Sequence, residues 1–170
     1  MSAGLPLPYR VATLLYAFDR QERVLLLERL REPNRGLWSP PGGKLHTDLG
    51  ESPHQCAIRE AGEELGVRLS VADLHLTGMV SESGYEGAAH WLMFLFEIRT
   101  RLSACPPDMA EGRFRFVARE ELPSLALPVT DRERIWPWFW AHRGGFFAAH
   151  CCCLGGDQHQ WTLETSRPAC

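Results

Sequence analysis

One α/β domain spanning residues 1–170, with a mixed β-sheet held between two helices, is the fold class that the sequence predicts. Three observations lead there. Apolar, β-prone runs recur along most of the chain. A short helix between Ser52 and Gly66 carries start and stop signals at both ends, and a second helical stretch, Thr130–His142, precedes a closing hairpin. No internal repeat, linker or low-complexity segment divides the chain, and 170 residues can enclose one hydrophobic core.

Taken in order, Tyr9–Phe18 (YRVATLLYAF) and Arg23–Glu28 (RVLLLE) are joined by a short turn, Asp19–Glu22. They predict a hairpin inside a sheet covered on both faces. Leu30–Leu37 contains Pro33, Asn34 and Gly36 and is a loop. Trp38–Gly43 (WSPPGG) follows: two prolines fix the backbone, and two glycines let it approach a neighbour closely. After the first helix, Arg68–Val80 is a strand with an irregular middle, Ser81–Ala88 (SESGYEGA) a polar loop, and Ala89–Thr100 a long central strand. Leu102–Ala110 holds two prolines and is a loop. Gly112–Ala118 alternates, with Phe114 and Phe116 on one face and Arg113 and Arg115 on the other. Arg119–Leu122 makes a helical turn closed by Pro123. Thr130 or Asp131 should cap the second helix and Pro137 should kink it, with Trp136, Phe139 and Trp140 at core spacing. Phe146–Leu154 and Gln160–Thr165 then flank the turn Gly155-Gly156-Asp157.

Charge and composition exclude some classes of partner. A net charge of −3 argues against polymeric nucleic acid, which selects a basic surface. No apolar run reaches membrane-spanning length, and MSAGLPLPYR lacks a signal-peptide pattern, so a cytoplasmic protein, monomer or homodimer, is expected. Six cysteines include Cys56 within the first helix and the run Cys151–Cys153. In a strand Cys152 would face away from Cys151 and Cys153, which is poor geometry for a shared metal, so the thiols are expected as small buried hydrophobes.

The most informative stretch is Gly42–Val67, GGKLHTDLGESPHQCAIREAGEELGV. Ser52 is an N-cap, Pro53 suits the first helical position, Gln55 completes a capping box and Gly66 ends the helix. Ala57, Ile58, Ala61 and Leu65 share one face, while Glu60, Glu63 and Glu64 cluster on the opposite side. Like charges at i, i+4 cost a few tenths of a kcal/mol, about 0.3 per pair, so this cluster asks for a counter-charge. Arg59 can pair with Glu63, but the surrounding glycines, Lys44 and Glu51 at fixed distances make the pattern far more specific than a solvated charge cluster.

The segment resembles the Nudix box, G-x5-E-x7-R-E-U-x-E-E-x-G-U with U apolar. From Glu51 to Val67 the match is complete; upstream, seven residues separate Gly43 from Glu51 where the family has five, predicting a longer turn at His46–Leu49. The resemblance implies an α/β/α sandwich and a hydrolase that uses Mg²⁺, with Mn²⁺ as substitute. Glu60, Glu63 and Glu64 would hold the metal, with Glu51 and the Gly43 backbone beside them, and Arg59 would orient a box glutamate. Hard divalent cations take oxygen ligands and bridge carboxylate to phosphate, which is the chemistry such a set suits. Glu111, ahead of the GRFRFVA strand, is the candidate carboxylate from outside the box, and Glu60, Glu64 and Glu111 all stay open as general base.

Trp38–Lys44, the Glu121-Leu122-Pro123 segment and the closing hairpin resemble the MutT-like branch. That implies cleavage of a nucleoside triphosphate to monophosphate and pyrophosphate. Arg29 and Lys44 are the expected phosphate contacts, with Arg31 and Arg35 weaker candidates. Trp38, Ser39 and Asp131 occupy the places where the branch reads the base. Ser39 cannot make the bidentate contact of an amide, so preference for 8-oxo-dGTP rests on layout alone. ADP-ribose or another nucleotide sugar is the alternative substrate, and a non-catalytic nucleotide sensor the third reading.

Overall fold

The computed structural model describes residues 6–32 and 34–170. Pro33 and the first five residues, on which the loop and N-terminal expectations partly rest, lie outside them. Among the described residues, nine strands form two sheets. β1 (Tyr9–Tyr16), β4 (Gly42–Lys44), β5 (Leu74–Tyr85), β6 (Ala89–Ile98), β8 (Phe146–Gly155) and β9 (Gln158–Arg167) make a six-stranded sheet of order β4-β1-β6-β5-β8-β9. It is mixed, as expected: β1 with β6 and β5 with β8 are parallel, the other pairs antiparallel. β2 (Val24–Arg29), β3 (Trp38–Ser39) and β7 (Gly112–Val117) form a separate antiparallel sheet, β3-β2-β7.

The expected β1–β2 hairpin therefore needs correction. It closes only near its turn, where Phe18 bridges Val24 and Leu25 N–H donates to Ala17 O at 2.8 Å. Beyond that the strands part, because β1 is paired on both edges, to β4 and β6, and β2 on both of its own, to β3 and β7. The prediction of burial on both faces holds for β2. Val24 and Leu26 enter one core cluster, with Tyr16, Phe139 and Phe147, whereas Leu25 and Leu27 enter the other, with Ala57, Ala61 and Phe96.

The helix α1 (Pro53–Leu65) has the anticipated ends. Gln55 N–H donates to Ser52 Oγ at 3.2 Å, Ser52 N–H to Gln55 Oε1 at 2.8 Å, and Gly66 ends the helix in the left-handed region at φ 67°. Ala57, Ala61 and Leu65 pack on the second core cluster, against one face of the large sheet. The longer turn before α1 is a 3₁₀ turn, Thr47–Leu49, closed by Gly50.

Two other expectations change. Ser81–Ala88 is not a loop: β5 runs through Ser81 to Tyr85, paired with Leu92 and Trp91 on one side and with His150–Cys152 on the other, leaving a turn at 86–88. The second helix starts earlier than expected, with Arg132 N–H donating to Pro128 O, so neither Thr130 nor Asp131 is its cap. Asp131–Ile135 takes a wide π-turn and α2 (Trp136–Ala141) follows. Pro137 has no N–H to return to residue 133, and the wide turn is how the helix accommodates it. Ile135, Trp136 and Phe139 seat this segment on the first cluster, on the sheet face opposite α1. The closing hairpin, β8–β9, turns at Gly156-Asp157 as predicted.

Candidate active site

Gly42 and Gly43 decide where α1 can sit. Gly42 has φ 142°, and a side chain there would overlap the Thr13 carbonyl; its N–H donates to Glu64 Oε2 at 2.8 Å. A side chain on Gly43 would occupy the space filled by the Glu60 carboxylate. The glycine pair thus lets β4 run along β1 and lets two box glutamates lie against its backbone.

The three helix glutamates are not equivalent. Glu63 is exposed, Glu64 half-buried, and Glu60 is buried beside Cys56 rather than on the solvent face where the sequence pattern put it. Burial pushes the Glu60 carboxyl up, against the hydrogen bond and charge of Arg59. Burial also pushes Glu64 up to about 7, with the charges of Glu60, Glu111 and Glu63 adding to it and the Gly42 N–H opposing.

Arg59 ties the cluster together. Its Nε and Nη2 donate to the two Glu51 oxygens at 2.8 and 3.0 Å, and its Nη1 reaches Glu60 Oε1 at 2.6 Å and Glu63 Oε2 at 3.2 Å. The Arg59 hydrogen bonds hold the Glu51 carboxyl near 2, and Glu51 and Glu60 together raise the guanidinium further above its ordinary range. Such a forked pair is among the stronger charge-assisted contacts.

A cleft of about 230 Å³ opens beside this surface. Arg29, Ser39, Gly43, Lys44, Glu64, Glu111 and Asp131 all line it, so seven of the expected site residues converge on one space. Glu51, Arg59, Glu60 and Glu63 stand at its acidic edge, outside the lining itself. Trp38 is placed elsewhere: it packs on the first core cluster, with the Arg115 guanidinium 5.1 Å from its ring.

Residues that the sequence reading passed over complete the cleft's far end. Glu82 is 4 % exposed on β5 and accepts a hydrogen bond from the Thr130 side chain, while its Oε1 has no partner among the described residues. Tyr85, Trp91 and Met93 line the same cleft, and Tyr85 Oη donates to Asn34 Oδ1 at 3.3 Å. Asp131 is pushed up to about 8, by burial first and then by the Glu82 charge; burial likewise raises Glu82. The signal for Glu82 was its place two residues after the buried Val80, which gives it the same face of a continuing strand.

The cysteines are all free thiols. Cys56 sits beneath Arg59, 3.3 Å from Thr13 Oγ1 and 3.6 Å from Gly43 O, and burial raises the Cys151 thiol to about 12. No helix among the described residues is long and apolar enough to cross a membrane.

Comparison with known proteins identifies the family and the fold. Residues 8–139 match the NUDIX domain. An RNA pyrophosphohydrolase of Novosphingobium aromaticivorans is 30 % identical over 145 residues, covering 74 % of this chain and 88 % of its own. The crystal structure of a MutT protein from Bacillus halodurans superimposes with a TM-score of 0.71 at 22 % identity, covering 91 % of this chain and 97 % of that one. The NUDIX domain of Shewanella oneidensis NrtR, crystallised with ADP-ribose, does so with a TM-score of 0.61 at 20 % identity, covering 80 % and 88 %. With the family match spanning both the capped glutamate helix and the cleft beside it, this chain belongs to the NUDIX hydrolases, enzymes that act on pyrophosphate linkages.

Proposed function

We infer that this protein is a Mg²⁺-dependent nucleoside triphosphate pyrophosphohydrolase, releasing a nucleoside monophosphate and pyrophosphate. The observation that carries the reading is the polarity of the cleft. Carboxylates Glu64 and Glu111 stand with the cations Arg29 and Lys44 in its lining, while aromatic side chains and buried acids line it as well. A polyphosphate joined to a flat base has that division of chemistry.

The donor set suits a hard dication. It is made of oxygens, and Glu64 is raised by burial first and then by the charges of Glu60, Glu111 and Glu63, a repulsion that a bound cation would relieve. Glu60, Glu63 and Glu64 would hold it, with Glu51 kept ionised by Arg59 and Glu111 from outside the helix. When bound, Mg²⁺ supplies charge neutralisation for the phosphates and acidifies a water; Mn²⁺ suits the same oxygens.

The chain's own residues do the remaining work. Arg59 holds Glu51 and Glu60 in register, and the Gly42 N–H orients Glu64. Glu64 and Glu111 both line the cleft, and whichever of them is left free of the metal can accept a proton from an attacking water. Arg29 and Lys44 counter the phosphate charge, and Ser39 lies beside them. Nucleotide-pool cleanup of 8-oxo-dGTP is the role proposed with this reaction, on the MutT-like layout of Trp38–Lys44, Glu121-Leu122-Pro123 and the closing hairpin.

A second reading, cleavage of ADP-ribose or another nucleotide sugar, is favoured by the NrtR neighbour's ligand. Hydrolysis of 8-oxo-dGTP, dGTP, the other nucleoside triphosphates and ADP-ribose under Mg²⁺ or Mn²⁺, with products separated by chromatography, tests both. Monophosphate plus pyrophosphate supports the first reading. Two monophosphates from ADP-ribose alone would replace it with the second.

A further inference from the structure

We propose that Cys151 and Cys153 form a two-thiol site for one soft monovalent cation, Cu(I) in type, reached through the large cavity beside the β8–β9 turn. The site goes beyond the hydrolase reading and does not depend on it.

Cys151 and Cys153 stand two residues apart on β8, so their side chains leave one face of the strand and Cys152 leaves the other. Cys151 is laddered on both edges, opposite Glu82 on β5 and Trp161 on β9, and Cys153 lies opposite His159 on β9. This pairing fixes which way each sulfur points. The two thiols hydrogen-bond to each other and neither belongs to a disulfide. An extended strand sets residues i and i+2 about 6.6 Å apart, at the upper end of the Cα separation that a disulfide spans. The pair is therefore better spaced to hold an ion between its sulfurs than to join them.

Burial as small hydrophobes accounts for Cys151, which is fully enclosed, but not for its partner. Cys153 is half-buried and lines a cavity of about 700 Å³ together with Gly84, Thr130, Asp157 and His159. That cavity is the route to the sulfurs. The strand positions on either side, Glu82 and His159, are polar, so this stretch of the sheet face is not apolar core.

The neighbouring donors are engaged or of the wrong kind. His159 Nδ1 lies 3.2 Å from the Asp157 carbonyl, and its Nε2 accepts from Arg134 Nε at 3.3 Å. Glu82 accepts from the Thr130 side chain and offers only hard oxygens. Two sulfurs remain as the donor set. Structural zinc takes four ligands, which two thiols cannot supply, whereas thiolates are the ligands that select Cu(I). On binding, each thiol gives up its proton, so one Cu(I) replaces two protons and no electron is transferred.

The test uses the full chain, fully reduced and free of oxygen. Cu(I) is supplied as its coloured bicinchoninate complex, and loss of colour reports transfer to the protein. The wild-type protein and Cys152→Ser should each take up one Cu(I) per chain, while Cys151→Ala and Cys153→Ser should bind it at least a hundredfold more weakly. X-ray absorption of the loaded wild-type protein should show two sulfur neighbours, and a tenfold excess of Zn²⁺ should not displace the copper. Failure of the wild-type protein to remove copper from bicinchoninate would overturn the proposal. So would undiminished uptake by Cys153→Ser, a coordination shell of three or more donors, or displacement by Zn²⁺. If Cys151→Ala does not fold, the half-buried Cys153 and the absorption spectrum decide the matter.

Discussion

The Glu60 carboxylate fills the space that a side chain on Gly43 would need, so the glycine of β4 and the glutamate of α1 interlock across the site. Gly42, one residue earlier, is constrained differently, by the Thr13 backbone and by φ 142°. The neighbouring glycines should therefore fail in different ways. Gly43→Ala displaces only the end of a flexible side chain; it should cost under about 1 kcal/mol of stability but lower kcat tenfold or more. Gly42→Ala meets backbone in a conformation closed to L-residues and should cost about 3 kcal/mol or more. Thermal melts set beside kcat for the two variants check this; a Gly43→Ala enzyme with wild-type turnover would break the link between this glycine and Glu60.

Glu63→Gln and Glu64→Gln should each lose a hundredfold or more in kcat while remaining folded. In Glu64→Gln the new side-chain amide keeps a carbonyl that can accept from the Gly42 N–H, and Glu63 is exposed, so neither change orphans a buried group. Removing one of several like charges from a helix can even raise the melting temperature of the metal-free protein. Activity at wild-type level across a Mg²⁺ titration would show that these side chains are not ligands.

Arg59 governs behaviour in acid. Glu51, held near 2 in the folded state against an ordinary value of 4.5, contributes stability that is complete above pH 4.5 and is lost as pH falls towards 2. Lysine cannot reproduce the two-pronged contact, so Arg59→Lys should move the acid limb of the melting curve to higher pH. Melting temperatures between pH 2 and 6, in the presence of chelator, provide the check; superimposable curves would contradict it.

The far end of the cleft acts with the opposite sign. Asp131 binds its proton up to about pH 8 when folded but only to about 3.8 when unfolded, so the native state holds more protons between these values and stability falls as pH rises through the window. Asp131→Asn should gain on the wild type from pH 5 to pH 8.5, and the difference should level off above that. A constant offset across the range would mean that the carboxyl titrates normally.

Much of this was legible because it is determined locally. The ends of α1 follow from Ser52, Pro53, Gln55 and Gly66, and these four place Glu60, Glu63 and Glu64 on a rigid rod. Glu82 was hidden because SESGYEGA is polar and rich in turn residues; its extended form comes from ladders with residues far along the chain, at Trp91 and Cys151. Asp131 was named from the sequence and lines the cleft, but as a capping residue its carboxyl would have been spent on the helix. Only the early start after Pro128 releases it to the cleft. The parting of β1 from β2 was equally out of reach: RVLLLE announces burial on both faces without naming either neighbour.

The 3₁₀ turn before α1 bears on how such sites tolerate change. His46 and Glu51 clasp each other: the His46 N–H donates to Glu51 Oε2 at 2.8 Å, and the Glu51 N–H to His46 O at 3.2 Å. The clasp closes this loop at its base, so a change of length inside it should leave Glu51 in place. Protein engineers seeking a place to graft a reporter peptide or an affinity epitope close to the chemistry, yet uncoupled from it, have one at Thr47–Leu49.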